Sequence, residues 1–133
     1  MADKPRVQVA AGIIRNALGQ IYLTERLEGK DFAQALEFPG GKVKNDETPR
    51  QALDRELEEE IGIQVLKAEL FEQFVYDYPH KIIEFYFYLV DEWVNEPFGR
   101  EGQVGMWVNQ QDLDAGSFPP ANYDLIQKLR QLA

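Results

Sequence analysis

The sequence predicts an α+β sandwich with a mixed β-sheet between helices, and three observations carry that prediction. Segments rich in aromatic and β-branched residues, some with strict two-residue alternation, recur through the chain. Two segments combine helical spacing with end signals. The two helices lie far apart in the sequence with strands around them, which is the order of a layered α and β domain.

The elements follow in chain order. Val7, Val9, Ala11 and Ile13 alternate with their neighbours and predict a first strand. Residues 16–20 read as a turn and 21–26 as the returning strand. Residues 27–36 read as a loop. Then comes Glu37-Phe38-Pro39-Gly40-Gly41, whose two glycines stand where the backbone must bend or approach something closely. In Thr48-Pro49-Arg50-Gln51, Thr48 can cap a helix, Pro49 suits its first position and Gln51 completes a capping box. Leu53, Leu57 and Ile61 recur every four residues as a buried stripe, and Gly62 is a natural stop. Residues 71–76 and 82–90 read as strands, and 104–108 as another. After Phe118-Pro119-Pro120-Ala121, Asn122 can cap a final helix with Leu125, Leu129 and Leu132 on its inner face.

Composition narrows the function. A length of 133 residues suits one domain spanning the chain, and 44% hydrophobic with 12% aromatic residues supports a real core. The absence of cysteine excludes disulfides, thiolate metal sites and cysteine nucleophiles. The start, Met-Ala-Asp-Lys-Pro-Arg, lacks a signal-peptide stretch, and no run approaches the roughly 18 apolar residues of a membrane span. A cytoplasmic monomer without a membrane partner is expected. With 23 acidic and 14 basic residues the net charge is −9, which repels a long nucleic acid. Such charge can serve solubility alone. A small phosphorylated ligand fits it when a divalent cation bridges acids and phosphates.

The positions of the acids point to that second case. Gly41 is followed by five residues and Glu47, then seven residues and Arg55-Glu56-Leu57-Glu58-Glu59-Glu60-Ile61-Gly62-Ile63. On a helix starting at Pro49, Glu56, Glu59 and Glu60 are spaced i, i+3 and i+4 and share one face. Like-charged neighbours cost about 0.2–0.5 kcal/mol each, so a solvated acidic face is tolerable and remains one reading. The preceding Gly40 and Gly41 favour the other: a backbone carbonyl beside that face, with carboxylate oxygens, suits Mg²⁺ or Mn²⁺.

This spacing matches every position of the Nudix box, for which a chance match is on the order of 10⁻⁹ per starting position. The chain is similar to MutT-type Nudix hydrolases over nearly its full length, through residues 9–16, Leu36-Glu37-Phe38-Pro39-Gly40-Gly41-Lys42, Glu96-Pro97-Phe98-Gly99-Arg100-Glu101-Gly102-Gln103 and Phe118-Pro119-Pro120-Ala121-Asn122. That resemblance implies an α/β/α sandwich and hydrolysis of oxidised guanine nucleoside triphosphates, 8-oxo-dGTP above all, to the monophosphate and pyrophosphate. Another Nudix substrate, such as ADP-ribose, a dinucleoside polyphosphate or a capped RNA end, is the alternative. The resemblance implies that Glu56, Glu59 and Glu60, helped by the Gly40 carbonyl, ligate the metal, with Glu101 as a further ligand. Glu56, then Glu101, would accept the proton of the attacking water. Arg55 and Glu47 would hold loop and helix in register, although Arg55 could instead form an ordinary surface pair. Asn122 would read the purine edge, unless it only caps the last helix. Arg26 and Phe38 would line the base pocket, Gly41 would lie beside the substrate, and Lys81 would close over the base. The family pattern has arginine at position 81, and lysine lacks its planar fork. His80 has no matching role and reads as a solvated turn residue.

Overall fold

The computed structural model describes residues 4–26 and 35–133. Strand β1 (Arg6–Ile14) is central. It runs parallel to β6 (Ile82–Val94) and antiparallel to β4 (Gly40–Lys42), while β5 (Gln64–Asp77) pairs antiparallel with the far edge of β6. This four-stranded mixed sheet has the order β4-β1-β6-β5. Strand β2 (Gln20–Glu25) forms a second, antiparallel sheet between β3 (Leu36–Glu37) and β7 (Gly105–Asn109).

The mixed sheet and its flanking helices match the expected α+β sandwich. The second sheet is new, because the returning strand does not lie alongside β1. Asn16 Oδ1 accepts from the Leu18 and Gln20 amides and closes the turn, and a single bridge joins Arg15 to Ile21. Beyond it the strands separate, since both edges of β1 are already taken by β4 and β6. The expected loop over 27–36 is shortened: Leu36 belongs to β3, and residues 27–34 lie outside the described residues. The strand expected over 71–76 begins earlier, at Gln64, and that over 82–90 continues to Val94.

Helix α1 (Pro49–Ile61) forms as its sequence dictates. Thr48 Oγ1 accepts from the Gln51 amide at 3.2 Å, and Gln51 Oε1 accepts from the Thr48 amide at 2.9 Å. Gly62 ends the helix with φ 72°, a left-handed conformation, and donates its N–H to the Glu58 carbonyl. The stripe Leu53, Leu57 and Ile61 is fully buried with Ala10, Ile14 and Val90. Successive residues of β1 point to opposite faces, so Ile13 enters a separate core with Phe87, Leu113 and helix α2 (Tyr123–Gln131). One strand thus fixes α1 on one side of the sheet and α2 on the other.

Two expectations for α2 are overturned. Leu125, Ile126 and Leu129 are buried, but Leu132 stands beyond the last helical residue and is 59% exposed. Asn122 makes no side-chain cap bond. It closes the 3-10 turn Pro120–Asn122 with φ −92° and ψ 0°, whereas a capping side chain works from extended backbone.

A Cβ on Gly12 would come within 3.0 Å of Leu57 Cδ1, so α1 and β1 are in close contact where Leu57 sits. Leu57→Ala is expected to destabilise the fold by about 2–5 kcal/mol in denaturant unfolding. A loss below about 0.5 kcal/mol would show that this contact is not a fixed point of the core.

Candidate functional site

The site begins where β4 turns into α1. Arg55, one turn and a half into the helix, faces back over this connection. Its Nε and Nη2 donate to both carboxylate oxygens of Glu47 at 2.7 and 2.9 Å, and Nη2 also reaches the Lys42 carbonyl at 3.1 Å. Nη1 donates to Glu56 at 2.8 Å and to Glu59 at 3.3 Å. Hydrogen bonds from Arg55, followed by the Lys44 amide, lower the Glu47 carboxyl to about 2, and Glu47 in turn is the main cause raising Arg55.

Helix α1 ends against a second loop. The backbone N–H groups of Phe98 and Arg100 donate to the Ile61 and Glu60 carbonyls at 3.1 and 2.9 Å, and the Arg100 guanidinium donates to the Glu58 carbonyl at 2.9 Å. The Phe98 ring lies so close over Gly62 that a Cβ there would fall 2.7 Å from its edge. These contacts bring Glu101 and Gln103 beside Glu60.

Between the two loops a cleft of about 690 Å³ opens along β1 and β6. Val7, Val9 and Ala11 from β1 and Ile83, Phe85 and Phe87 from β6 form its apolar floor. Phe38 adds a wall, stacked on Phe118 at 5.3 Å and edge-on to Phe87 at 5.6 Å. Tyr78 and Lys81 line it too, with the Lys81 ammonium 6.0 Å from the Tyr78 ring centroid. His80, in the same turn, is exposed, as expected of a solvated residue. Glu56, Glu60 and Glu101 supply carboxylates, and Arg26 pairs with Glu37 at 2.7 Å.

Of the residues singled out from the sequence, the cleft gathers Arg26, Phe38, Gly40, Gly41, Glu56, Glu60, Lys81, Glu101 and Asn122. Glu59 stands outside its lining with a half-exposed side chain, and Glu47 and Arg55 lie behind it. Among the polar lining residues without an assigned role are Glu37, Tyr78 and Gln103. Glu37 and Gln103 fall inside the segments that carried the family resemblance, which was their available signal. Tyr78 is adjacent in the fold to Lys81 because the Tyr78 amide donates to the Lys81 carbonyl across the β5–β6 turn.

Glu60 is the electrostatic anomaly of the site. It is 5% exposed and pairs with no cation among the described residues. Its Oε2 accepts from the Gly40 amide at 3.1 Å, and Gln103 Nε2 lies 3.4 Å from Oε1. Burial raises its carboxyl to about 8 against the pull of the Gly40 hydrogen bond, and Glu37, Glu101 and Glu56 add to the rise. No three carboxylates among the described residues converge closely enough to hold a metal ion, since Arg55 draws on Glu56 and Glu59 while Glu60 turns to Gly40. The donor set nonetheless fits a hard divalent cation. It offers oxygen ligands only, and a Cβ at Gly41 would collide with the Glu56 carboxylate, so glycine there gives that carboxylate its place in the cleft. Asn122 completes the inventory. It is 8% exposed, and its Oδ1 is buried without a hydrogen-bond partner among the described residues.

Comparison with known proteins gives a consistent picture. Residues 4–129 match the NUDIX domain. The chain is 71% identical over 127 residues to the 8-oxo-dGTP diphosphatase of Haemophilus influenzae, covering 96% of this chain and 93% of the relative. Identity to the 8-oxo-dGTP diphosphatase of Escherichia coli is 46% over 127 residues, covering 96% and 98%. A structure from a study of MutT from Aliivibrio salmonicida and Vibrio cholerae superposes with a TM-score of 0.84 at 39% identity, covering 96% of this chain and 99% of the other. No helix among the described residues is long and apolar enough to cross a membrane.

The buried Glu60 has a direct consequence for pH dependence. Its folded-state carboxyl lies at about 8, above the ordinary value of 4.5, so the folded protein retains a proton that the unfolded chain has released. This contribution to stability is fully present below pH 4.5 and is lost as pH rises to about 8. Thermal unfolding of chelator-treated protein is expected to show stability falling across that window, and Glu60→Gln is expected to flatten the fall. An equal slope in both proteins would refute the assignment.

Proposed function

The chain belongs to the Nudix family, and on that premise we propose that it is an 8-oxo-dGTP diphosphatase that keeps 8-oxoguanine out of replicating DNA. It acts as a cytoplasmic monomer of one domain, on free nucleotides. The observation that carries the proposal is the buried, unpartnered Asn122 Oδ1 in the same cleft as the acidic end of α1. Normal guanine presents two acceptors, O6 and N7, on its major-groove edge. Oxidation at C8 turns N7 into an N–H donor. A carboxamide, with one acceptor and one donor, matches that altered edge, whereas normal guanine would set a lone pair against the Asn122 oxygen. A buried polar group without a partner costs about 1–3 kcal/mol, and sites built on such matching discriminate strongly.

The residues around Asn122 serve the same task. Phe38, held by Phe118 and Phe87, gives the base a rigid apolar wall. Arg26, oriented by Glu37, supplies a positive charge in the cleft, and Lys81 offers a donor at its mouth. At the other end, Glu56, Glu59, Glu60 and Glu101 with the Gly40 carbonyl would hold the cation, Mg²⁺ in this reading, with Mn²⁺ able to replace it. When bound, the cation neutralises phosphate charge and lowers the pKa of water. The reaction joins a water oxygen to the β-phosphorus and breaks the bond to the α-phosphate oxygen, releasing the monophosphate and pyrophosphate. Glu56 accepts the proton of the attacking water, with Glu101 the second choice. Arg55 and Glu47 keep Glu56 and the Gly40–Gly41 turn in register.

The test is pyrophosphate release with Mg²⁺ at sub-saturating 8-oxo-dGTP or dGTP. A strong preference for the oxidised nucleotide is expected, and equal rates would retain Nudix chemistry but remove the reading of Asn122. Asn122→Ala is expected to erase the preference, with a loss on the order of 10-fold or more. An unchanged ratio would assign base reading elsewhere. Glu56→Gln is expected to reduce turnover by about 10²-fold or more while monophosphate binding persists. Retention of most activity would transfer the proton-accepting role to Glu101.

A further inference from the structure

These assignments leave one buried polar atom of the cleft without a task. Gln103 Oε1 is buried and has no hydrogen-bond partner among the described residues. At the other end of the same amide, Nε2 lies 3.4 Å from Glu60 Oε1. With Nε2 turned to Glu60 Oε1, the oxygen is the end of the amide left without a partner. The backbone beneath is held in place. Arg100 anchors the loop to the Glu58 and Glu60 carbonyls, and the Gly102 amide donates to the Gly99 carbonyl at 3.0 Å. Gln103 therefore presents a fixed acceptor at the carboxylate end of the cleft.

A fixed acceptor calls for a donor. The ionised oxygens of a polyphosphate are acceptors and would repel Oε1. Both Glu60 oxygens face donors, Oε2 the Gly40 amide and Oε1 Gln103 Nε2, so Glu60 offers nothing to Gln103 Oε1. The species that must be present at this end, and that carries donors, is the water consumed in hydrolysis. We infer that Gln103 is a positioning residue for that water: Nε2 is held toward Glu60 while Oε1 accepts one of the water's hydrogen bonds. This leaves a lone pair of the water oxygen free for the β-phosphorus. The amide takes no proton, and the proton released still passes to a carboxylate. The inference rests on the hydrolytic function proposed above.

The test compares wild type with Gln103→Met, a near-isosteric change that removes both polar ends. Turnover of 8-oxo-dGTP is measured with Mg²⁺, and binding of 8-oxo-dGMP by calorimetry. The expected result is a kcat lowered about 10- to 100-fold. KM and monophosphate affinity should stay within about twofold of wild type. An unchanged kcat would overturn the inference. A raised KM with kcat retained would also overturn it, by making Gln103 a substrate contact. Loss of monophosphate binding would overturn it in favour of a purely structural role. Failure of the proposed substrate would show instead as a wild-type enzyme that does not cleave 8-oxo-dGTP. The inference would then be judged on the variant-to-wild-type ratio with whichever nucleotide the wild type hydrolyses.

Discussion

The arrangement of the site depends on one guanidinium. Arg55 satisfies both oxygens of Glu47, the Lys42 carbonyl and one oxygen each of Glu56 and Glu59, so it ties the β4–α1 connection to the helix at three points and orients two carboxylates on the helix. Lysine could not do this, because a point charge cannot present parallel donors in fixed directions. The pair with Glu47 is two-pronged and largely shielded from solvent, the geometry in which such pairs contribute most. With the connection held, the Gly40 amide faces Glu60 and Gly41 leaves space for Glu56. The pairing of Gly40 and Gly41 with Ala11 and Ala10 of β1 holds the glycines on the sheet, and Arg55 holds the connection that follows them to the helix.

The same helix carries an electrostatic liability. Glu56, Glu58, Glu59 and Glu60 cluster near the C-terminus of α1, where the helix dipole is already negative, and no basic residue stands in the last turn. The fold offsets this from outside the helix. Arg100 supplies a cation to the Glu58 carbonyl, and two backbone amides of the 98–103 loop satisfy the Glu60 and Ile61 carbonyls. The docked loop also helps to bury Glu60. Screening one end of the helix from water thus raises the Glu60 carboxyl.

Local signals were legible in the sequence, and non-local ones were not. The capping box at Thr48, the stripe through Leu53, Leu57 and Ile61 and the stop at Gly62 all lie within a few bonds of their partners, and each appears where the sequence placed it. The division into two sheets was not visible, because it depends on β1 pairing with β6, some 76 residues away along the chain (Gln8↔Glu84). Helical periodicity placed Leu132 inside, but periodicity does not reveal where a helix ends. Asn122 shows the same limit differently. Asparagine before a helix reads as a cap, yet the prolines ahead of it wind a 3-10 turn that removes the extended backbone a cap requires. In the site, carboxylates at helical spacing announced themselves. A lone glutamine on a loop did not, since its setting comes from a contact with a residue 43 positions away.

Failing as a cap is what leaves the Asn122 oxygen without a partner among the described residues. A carboxamide engaged with the first turn of α2 would have its oxygen occupied. Here Oδ1 is buried and unpartnered, a state that costs stability unless a ligand supplies a donor. Gln103 repeats the pattern in the same cleft. Two buried acceptors without partners on rigid supports are an arrangement that folding alone does not favour. The rigidity comes from β1, whose alternate residues lie under both helices and whose Val7, Val9 and Ala11 form the floor between the acidic and aromatic ends. Asn122 and Glu56, at the two ends of the cleft, are therefore set against one strand. The acidic and aromatic ends share a frame because α1 and the aromatic wall are packed on that strand.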